Sequence, residues 1–254
     1  MNKRISIITV SYNSENTIKD TIESVLNQSY DNYEYIIMDG LSTDGTVDIA
    51  NSYADKFSQK NIPFTVISEK DSGIYDAMNK GISAATGDII GIINSDDYYE
   101  LIALEKVNEF YNKVPYDIMY ADLNILGSGK TIRKVSKHTK TFNTRYWNHP
   151  TTFVTRGVYD KHKYICESIY DDLDFVLWAR NSGYKFEILN EILANFRLGG
   201  VSNEVSFKKT RERLKLKNGI YKKHNCRRYK FNNFIMEYGK YFFTKYIFTK
   251  GRGK

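Results

Sequence analysis

The chain has 254 residues, 41% of them hydrophobic and 15% aromatic, with only 3 prolines and 2 cysteines. That composition excludes a disordered chain and a disulfide scaffold, and no run of about 18 apolar residues is present to cross a bilayer as a helix. The net charge of +7 conceals an asymmetry: Lys208 to Lys254 carries 16 basic and 2 acidic side chains, whereas the first 207 residues are acidic on balance.

In chain order, strand-like and helix-like segments alternate. ISIITV (Ile5–Val10) is short, β-branched and apolar, as a strand buried on both faces should be. Ile18, Ile22, Val25 and Leu26 then form one stripe of an amphipathic helix, with Ser14, Asn16 and Thr17 as candidate caps and a Thr17–Asp20 capping box. YEYIIM (Tyr33–Met38) predicts a second strand, and Val47, Ala50, Ala54 and Phe57 a second helix. FTVIS (Phe64–Ser68) predicts a third strand, and Ile74, Met78, Ile82 and Ala85 a third helix. DIIGII (Asp88–Ile93) predicts a fourth strand. Beyond it, Leu101, Leu104, Val107 and Tyr111 suggest a helix, YDIMYAD and TTFVTR look like strands, and DLDFVLWARNSG looks like a helix ending at Gly183.

The alternation predicts an α/β domain with right-handed crossovers and a mainly parallel sheet flanked by helices, followed by a basic, aromatic helical tail. The opening MNKRISIITV has an apolar run too short for a signal peptide. Cys166 and Cys226 form no CxxC, so free thiols and a cytoplasmic location are expected.

Ligands of such sheets bind beyond the carboxyl ends of the strands. Ser11, Tyr12 and Asn13 follow the first strand, and Asp39 follows the second. Glu69, Asp71 and Ser72 follow the third, and Asn94, Asp96 and Asp97 the fourth. Turn and cap chemistry accounts for any one of these clusters, but less well for four on one edge. Neither GxxxxGK[ST] nor a GxGxxG after the first strand is present. An acidic edge can hold a diphosphate through an intervening hard cation, so magnesium or manganese is expected.

ISIITVSYNSENTIKDTIESVLNQSYDNYEYIIMDGLSTDGT, followed by SEKDSGIYDAMNKGISAATGDIIGIINSDD, resembles the family 2 glycosyltransferases of GT-A fold. The likeness extends over residues 4 to 205, through NHPTTFV, YDDLDFVLWA and FRLGGVS, and is nearest to the bacterial enzymes of O-antigen and capsule synthesis. It divides the chain into a nucleotide-sugar half (1–100), an acceptor and catalytic half (101–205) and the tail (206–254). It implies that Thr9, Val10 and Ser11 contact the nucleotide and that Asp39 bonds uracil. Asp71 falls near base and ribose. Asp96 and Asp97 match the DxD-type motif, with Asp97 the expected metal ligand and Asp96, on the nucleotide side, free to take ribose hydroxyls or water around the metal. Asp172 matches the catalytic base, although the family's Glu-Asp reads Asp171-Asp172 here and Asp174 follows. His149, Asp171, Asp174 and Trp178 are expected at the acceptor, Trp178 standing where many relatives carry arginine. The implied reaction is inverting transfer of a hexose from a UDP-sugar to a lipid-diphosphate-linked saccharide.

Plainer readings accompany these. Asp171, Asp172 and Asp174 also suit a helix N-terminus. His138, His162 and His224 lack ligand spacing, so no zinc is expected. In the tail, Phe231, Phe234, Ile235, Tyr238, Tyr241 and Phe242 share a helical stripe. With the basic charge, this suits an anionic membrane surface bound through residues 208–254, on the inner face of the plasma membrane. The alternative occupant is nucleic acid, bound by charge and stacking. The acidic sheet edge argues against it, and no nucleic-acid partner is expected.

Overall fold

The computed structural model describes residues 2–127, 129–139, 142–198, 206–226 and 229–250, apart from the side chains of residues 240 and 243–250. Tail residues 227, 228 and 251–254, and the whole GGVS stretch of the motif (199–202), lie outside them.

The first half forms as its hydrophobic pattern dictates. β1 (Ile5–Ser11) pairs in parallel with β2 (Tyr33–Asp39) and β4 (Ile89–Asn94), and β2 pairs in parallel with β3 (Phe64–Ser68). In this register Ser11 lies beside Asp39 and Val10 beside Asn94, so the polar strand ends do share one edge. Crossovers run through α1 (Ile18–Leu26), α2 (Thr46–Asn51), α3 (Ala54–Gln59) and α4 (Ile74–Ala84).

The single helix expected around Val47–Phe57 is broken into α2 and α3. Tyr53 turns inward at the break, 4% exposed, with its hydroxyl donating to Glu23 Oε1 at 2.7 Å. The capping box at Thr17 does not form: Thr17 accepts no capping bond, and Asp20 pairs with Arg197 instead.

The second half adds β5 (Tyr98–Tyr99), α5 (Ala103–Lys113), β6 (Ile118–Gly127), β7 (Lys130–Lys134), β8 (Phe153–Thr155), α6 (Arg156–Tyr159), α7 (Asp171–Asn181) and β9 (Phe186–Arg197). The strand order is β3-β2-β1-β4-β8-β6-β9-β5, with β7 on β6. β6 and β9 are parallel, whereas β8 runs antiparallel to both β4 and β6. The sheet is therefore mixed: parallel on the first side, with antiparallel strands entering at β8. β9 escapes the sequence pattern because its burial is irregular rather than alternating.

Hydrophobic cores lie on both faces of the sheet. Ile5 and Ile7 join one, Ile8 and Val10 the other, as the two-residue period of a strand requires. Gly91 lets β4 approach β8: a Cβ there would lie 2.5 Å from the Phe153 ring. Two tail helices follow, α8 (Phe207–Lys223) and α9 (Lys230–Lys250), with α8 packed on α7.

Candidate active site

The edge begins where β1 and β2 end. Ser11 Oγ donates to Asp39 Oδ1 at 2.9 Å, Ser68 Oγ donates to Asp39 Oδ2 at 2.8 Å, and the Ser42 amide donates to Oδ2 at 2.8 Å. Asp39 is 2% exposed. Its carboxylate thus fastens three strand ends together, a role that the uracil assignment does not include. The loops after β1 and β2 are stitched to each other as well. Asn13 N donates to Ser42 Oγ, Asn13 Oδ1 accepts from Thr43 N, and Ser14 N donates to Thr46 Oγ1. Asn13 holds this loop at φ 48°, a left-handed conformation that asparagine tolerates.

Thr9 and Val10 do not present side chains to this edge. Thr9 Oγ1 accepts from the Tyr35 hydroxyl at 3.0 Å inside the sheet, and Val10 belongs to the core. The side chains that do gather are Tyr12, 64% exposed, and Asp71. A Cβ on Gly40 would lie 2.5 Å from Asp71 Oδ2 and 3.5 Å from the Tyr12 ring, so both side chains pack close over Gly40 at the edge. Asp71 is held by the Gly73 amide, which donates to Oδ1 at 2.9 Å.

At the end of β4 the two carboxylates are treated differently. Asp97 is fully enclosed, its Oδ1 accepting from the backbone amide of Arg197 at 3.0 Å, while Oδ2 is buried with no partner. Burial, reinforced by the charge of Asp96, pushes the Asp97 carboxyl up to about 8. Asp96 is half-buried, and it too is shifted upward by burial. Among the described residues no three His, Cys, Asp or Glu side chains are grouped to hold a metal. The pair nevertheless fits a hard divalent cation, which takes one or two carboxylates and completes its shell with substrate phosphates and water. The orphaned Oδ2 of Asp97 is the acceptor that marks this fit.

A second cluster forms around the start of α7. The Tyr75 hydroxyl donates to the Ile169 carbonyl at 3.2 Å, in the loop before α7, and its titration is driven far up by burial and then by the charge of nearby Asp172. The Tyr75 and Tyr164 rings stand 5.1 Å apart, and the Tyr164 hydroxyl meets His149 Nε2 at 3.4 Å. Burial depresses the His149 imidazole, with the nearby Asp172 charge opposing. Tyr75 and Tyr164 carried no sequence signal of their own; the fold brings them together beside the start of α7.

Three residues expected at the acceptor are engaged elsewhere. Asp171, 1% exposed, accepts from the amides of Glu167 and Ser168 at 2.9 and 2.8 Å and so organises the loop before α7. Asp174 accepts from His224 Nε2 at 2.9 Å and pairs with Lys223, which fixes α8 to α7. Trp178 stacks near His162, 4.3 Å between ring centroids, and near Tyr184. Helical spacing explains the split: two and six residues beyond Asp172 the side chains point to other sides of α7. Asp76, in the first turn of α4, accepts from the Ser72 amide and pairs with Lys80.

The first turn of α4 joins the two clusters. Asp71 and Gly73 lead into it on the Gly40 side, and Tyr75 leaves it toward the loop before Asp172.

The family model for glycosyl transferase family 2 matches residues 6–193. The chain is 42% identical over 106 residues to the "Putative teichuronic acid biosynthesis glycosyltransferase TuaG" of Bacillus subtilis, covering 42% of this chain and 41% of that protein. It is 27% identical over 215 residues to a PGL/p-HBAD biosynthesis glycosyltransferase of Mycobacterium tuberculosis, covering 82% of this chain and 83% of the other. Among solved structures, Staphylococcus aureus TarS 1–349 in complex with UDP-GlcNAc aligns with a TM-score of 0.68 at 18% identity, covering 98% of this chain and 74% of that one. The mannosyltransferase PcManGT of Pyrobaculum calidifontis, in complex with GDP-Man and Mn2+, aligns with a TM-score of 0.69 at 13% identity, covering 100% of this chain and 77% of that one. At these identities the two structures speak for the fold alone.

Proposed function

This chain belongs to glycosyl transferase family 2, and we propose that it moves a hexose from a UDP-sugar to a saccharide acceptor with inversion at the anomeric carbon. The observation that carries the reading is the first turn of α4, which runs from Asp71, packed against Gly40 and Tyr12, to Tyr75, whose hydroxyl reaches the Ile169 carbonyl in the loop before Asp172. The Tyr12–Gly40–Asp71 edge takes the uracil and ribose, aided by Ser11 and by the loop that Asp39 organises. Thr9 and Val10 contribute through backbone position alone.

Asp96 and Asp97 form the wall that faces the diphosphate. Sequence resemblance names Asp97 as the direct metal ligand, yet its enclosure and its bond to the Arg197 amide favour the half-buried Asp96 for first contact, with Asp97 behind it. A magnesium or manganese ion bound there supplies positive charge against the leaving diphosphate. Asp172 accepts the proton of the acceptor hydroxyl as that oxygen bonds to the anomeric carbon. The bond from that carbon to the diphosphate breaks on the opposite face, UDP departs, and an α-linked donor gives a β-glycoside. No covalent enzyme intermediate forms. His149 and Tyr164 line the acceptor side of the base.

The UDP and UDP-GlcNAc complexes of TarS support a UDP-sugar, and the teichuronic acid biosynthesis named for one relative supports an acceptor in polysaccharide synthesis; the lipid diphosphate carrier rests on the sequence resemblance alone. Residues 208–254 then hold the enzyme against the anionic inner face of the plasma membrane. Among the described residues no helix is long and apolar enough to cross a membrane.

The test is nucleotide release from UDP-glucose, UDP-galactose, their N-acetyl forms and GDP-mannose, with a synthetic GlcNAc-diphosphate-lipid acceptor. The assay is run with manganese, with magnesium and with chelator. Turnover of a UDP-sugar that chelator abolishes is expected. Turnover in chelator would sink the metal assignment, and release from GDP-mannose alone would sink the UDP assignment.

A further inference from the structure

We propose that α8 and α9 form an inside-out helical hairpin whose outer face, an aromatic stripe on α9 beside a basic stripe on α8, lies flat in the surface of an anionic bilayer. This deepens the membrane reading above and rests on it; it is independent of the catalytic assignments.

The two helices are antiparallel. Tyr221 stacks on Tyr229 at 5.2 Å near the turn, Asn233 Nδ2 donates to Asn218 Oδ1 at 3.0 Å, and Lys217 pairs with Glu237. Phe207, at the far end of α8, meets the Tyr238 ring at 5.8 Å. The middle of this seam is polar and buried: Lys217 is 7% exposed, Asn233 4% and Glu237 5%. Four large apolar residues among the described side chains of α9 are turned outward: Phe231 is 73% exposed, Phe234 50%, Ile235 47% and Phe242 64%. A helix that packs in water normally does the reverse, burying its apolar stripe and wetting its polar one. Enclosing an ion pair costs desolvation, and exposing four large apolar side chains forgoes burial. Both costs are explained when the outward stripe meets an apolar medium.

The charge of α8 identifies that medium. Lys208, Arg211, Lys215 and Lys222 stand at i, i+3, i+7 and i+14, and all four are exposed. At about 100° per residue they fall on one stripe. That stripe lies roughly a quarter turn beyond the seam residues Phe207 and Asn218. On α9, the aromatic stripe lies in the same rotational sense, centred about 140° beyond Asn233 and Glu237. In an antiparallel pair the sense of rotation is opposite when both helices are viewed from one end, so both stripes project to the same side. Aromatic groups at acyl depth, flanked by cations at headgroup level, are the arrangement of a helix lying in an anionic interface. The Asp174 clamp to Lys223 and His224 ties this hairpin to α7, the helix that carries Asp172.

The experiment uses the full chain and sedimentation with phosphatidylcholine vesicles, with and without phosphatidylglycerol. One variant combines Phe231→Ser, Phe234→Ser and Phe242→Ser; a second combines Lys208→Ser, Arg211→Ser, Lys215→Ser and Lys222→Ser. Since all seven positions are exposed, circular dichroism should show both variants folded. The unaltered chain is expected to bind anionic vesicles and to lose that binding steeply as salt rises. The aromatic variant should bind roughly tenfold or more weakly, and the basic variant should lose the preference for phosphatidylglycerol. No vesicle binding by the unaltered chain overturns the membrane reading itself. Vesicle binding that the aromatic variant retains in full overturns the proposed face. Dimers that the aromatic substitutions dissolve, or oligonucleotide binding that the basic substitutions abolish, in the absence of vesicle binding would make a second copy or a nucleic acid the occupant and overturn the proposal. Donor hydrolysis in the absence of lipid is expected to be unchanged in both variants, which separates this outcome from failure of the catalytic reading.

Discussion

The backbone amide of Arg197 donates to Oδ1 of Asp97 at 3.0 Å, joining two residues 100 positions apart in the chain. The same arginine reaches the Asp96 carbonyl with its guanidinium, lies 4.9 Å from the Tyr98 ring and pairs with Asp20. The end of β9 therefore holds the turn after β4 in place. It keeps one carboxylate of the pair enclosed while the other stays half-buried at the edge.

This division separates the two carboxylates by experiment. Asp97→Ala leaves the Arg197 amide without its acceptor, a loss of about 1–3 kcal/mol. It also removes a carboxyl whose folded value of about 8 is a cost at neutral pH. The loss of unfolding free energy should therefore be largest below about pH 4, the unfolded value, and shrink as pH rises. Asp96→Ala removes a half-buried carboxyl that burial already disfavours in its charged form, so stability should not fall, yet metal-stimulated nucleotide release should be abolished. Denaturant titration and the donor assay read the two effects separately. Equal stability loss in both variants would refute the division.

Asp172→Asn keeps the side chain's shape and removes its basicity. Transfer should fall by roughly 10²–10⁴-fold, the usual contribution of a positioned base, with UDP affinity unchanged by calorimetry. Retained transfer would move the base to another residue of the cluster, and lost UDP binding would place Asp172 at the donor instead.

Gly40→Ala puts a methyl 2.5 Å from Asp71 Oδ2, the free end of a side chain rather than backbone. Asp71 can move aside, so the expected stability change is small, within about 0.5 kcal/mol. The displaced carboxylate crowds this edge, so UDP affinity should fall severalfold while Asp172-dependent chemistry on bound donor persists. A rise in KM with kcat retained is the signature.

His149 gives a pH test. Its imidazole is depressed below the usual histidine value by burial, with Asp172 opposing. The unfolded chain therefore takes up a proton at higher pH than the folded one. The stability this histidine contributes is present above about pH 6.5, the unfolded value, and is lost as pH falls below it. His149→Gln should flatten the stability profile between neutral and mildly acidic pH. A variant that follows the parent profile throughout would assign that slope to other groups.

The sequence by itself determined the parallel half of the fold. Short β-branched runs with polar ends, spaced by helical stripes, leave little freedom in β1 to β4, and β3 and α1 lie where their periodicity puts them. It also located the acidic edge, because the residues after parallel strands must share one side of the sheet. The tertiary structure decided what each acid does there. Asp39, Asp171 and Asp97 carry the same side chain as Asp96 and Asp172, but each is enclosed by donors from distant segments: Ser68 for Asp39, the Glu167 amide for Asp171, Arg197 for Asp97. A carboxylate's role follows from which donors surround it and how much water reaches it, and those are set by chain crossings that no local pattern records. The same holds for β9, for the meeting of Tyr75 with the loop before Asp172, and for the tail. There the composition announced charge and aromatics, and only the pairing of α8 with α9 placed the polar residues inside and the aromatic ones out.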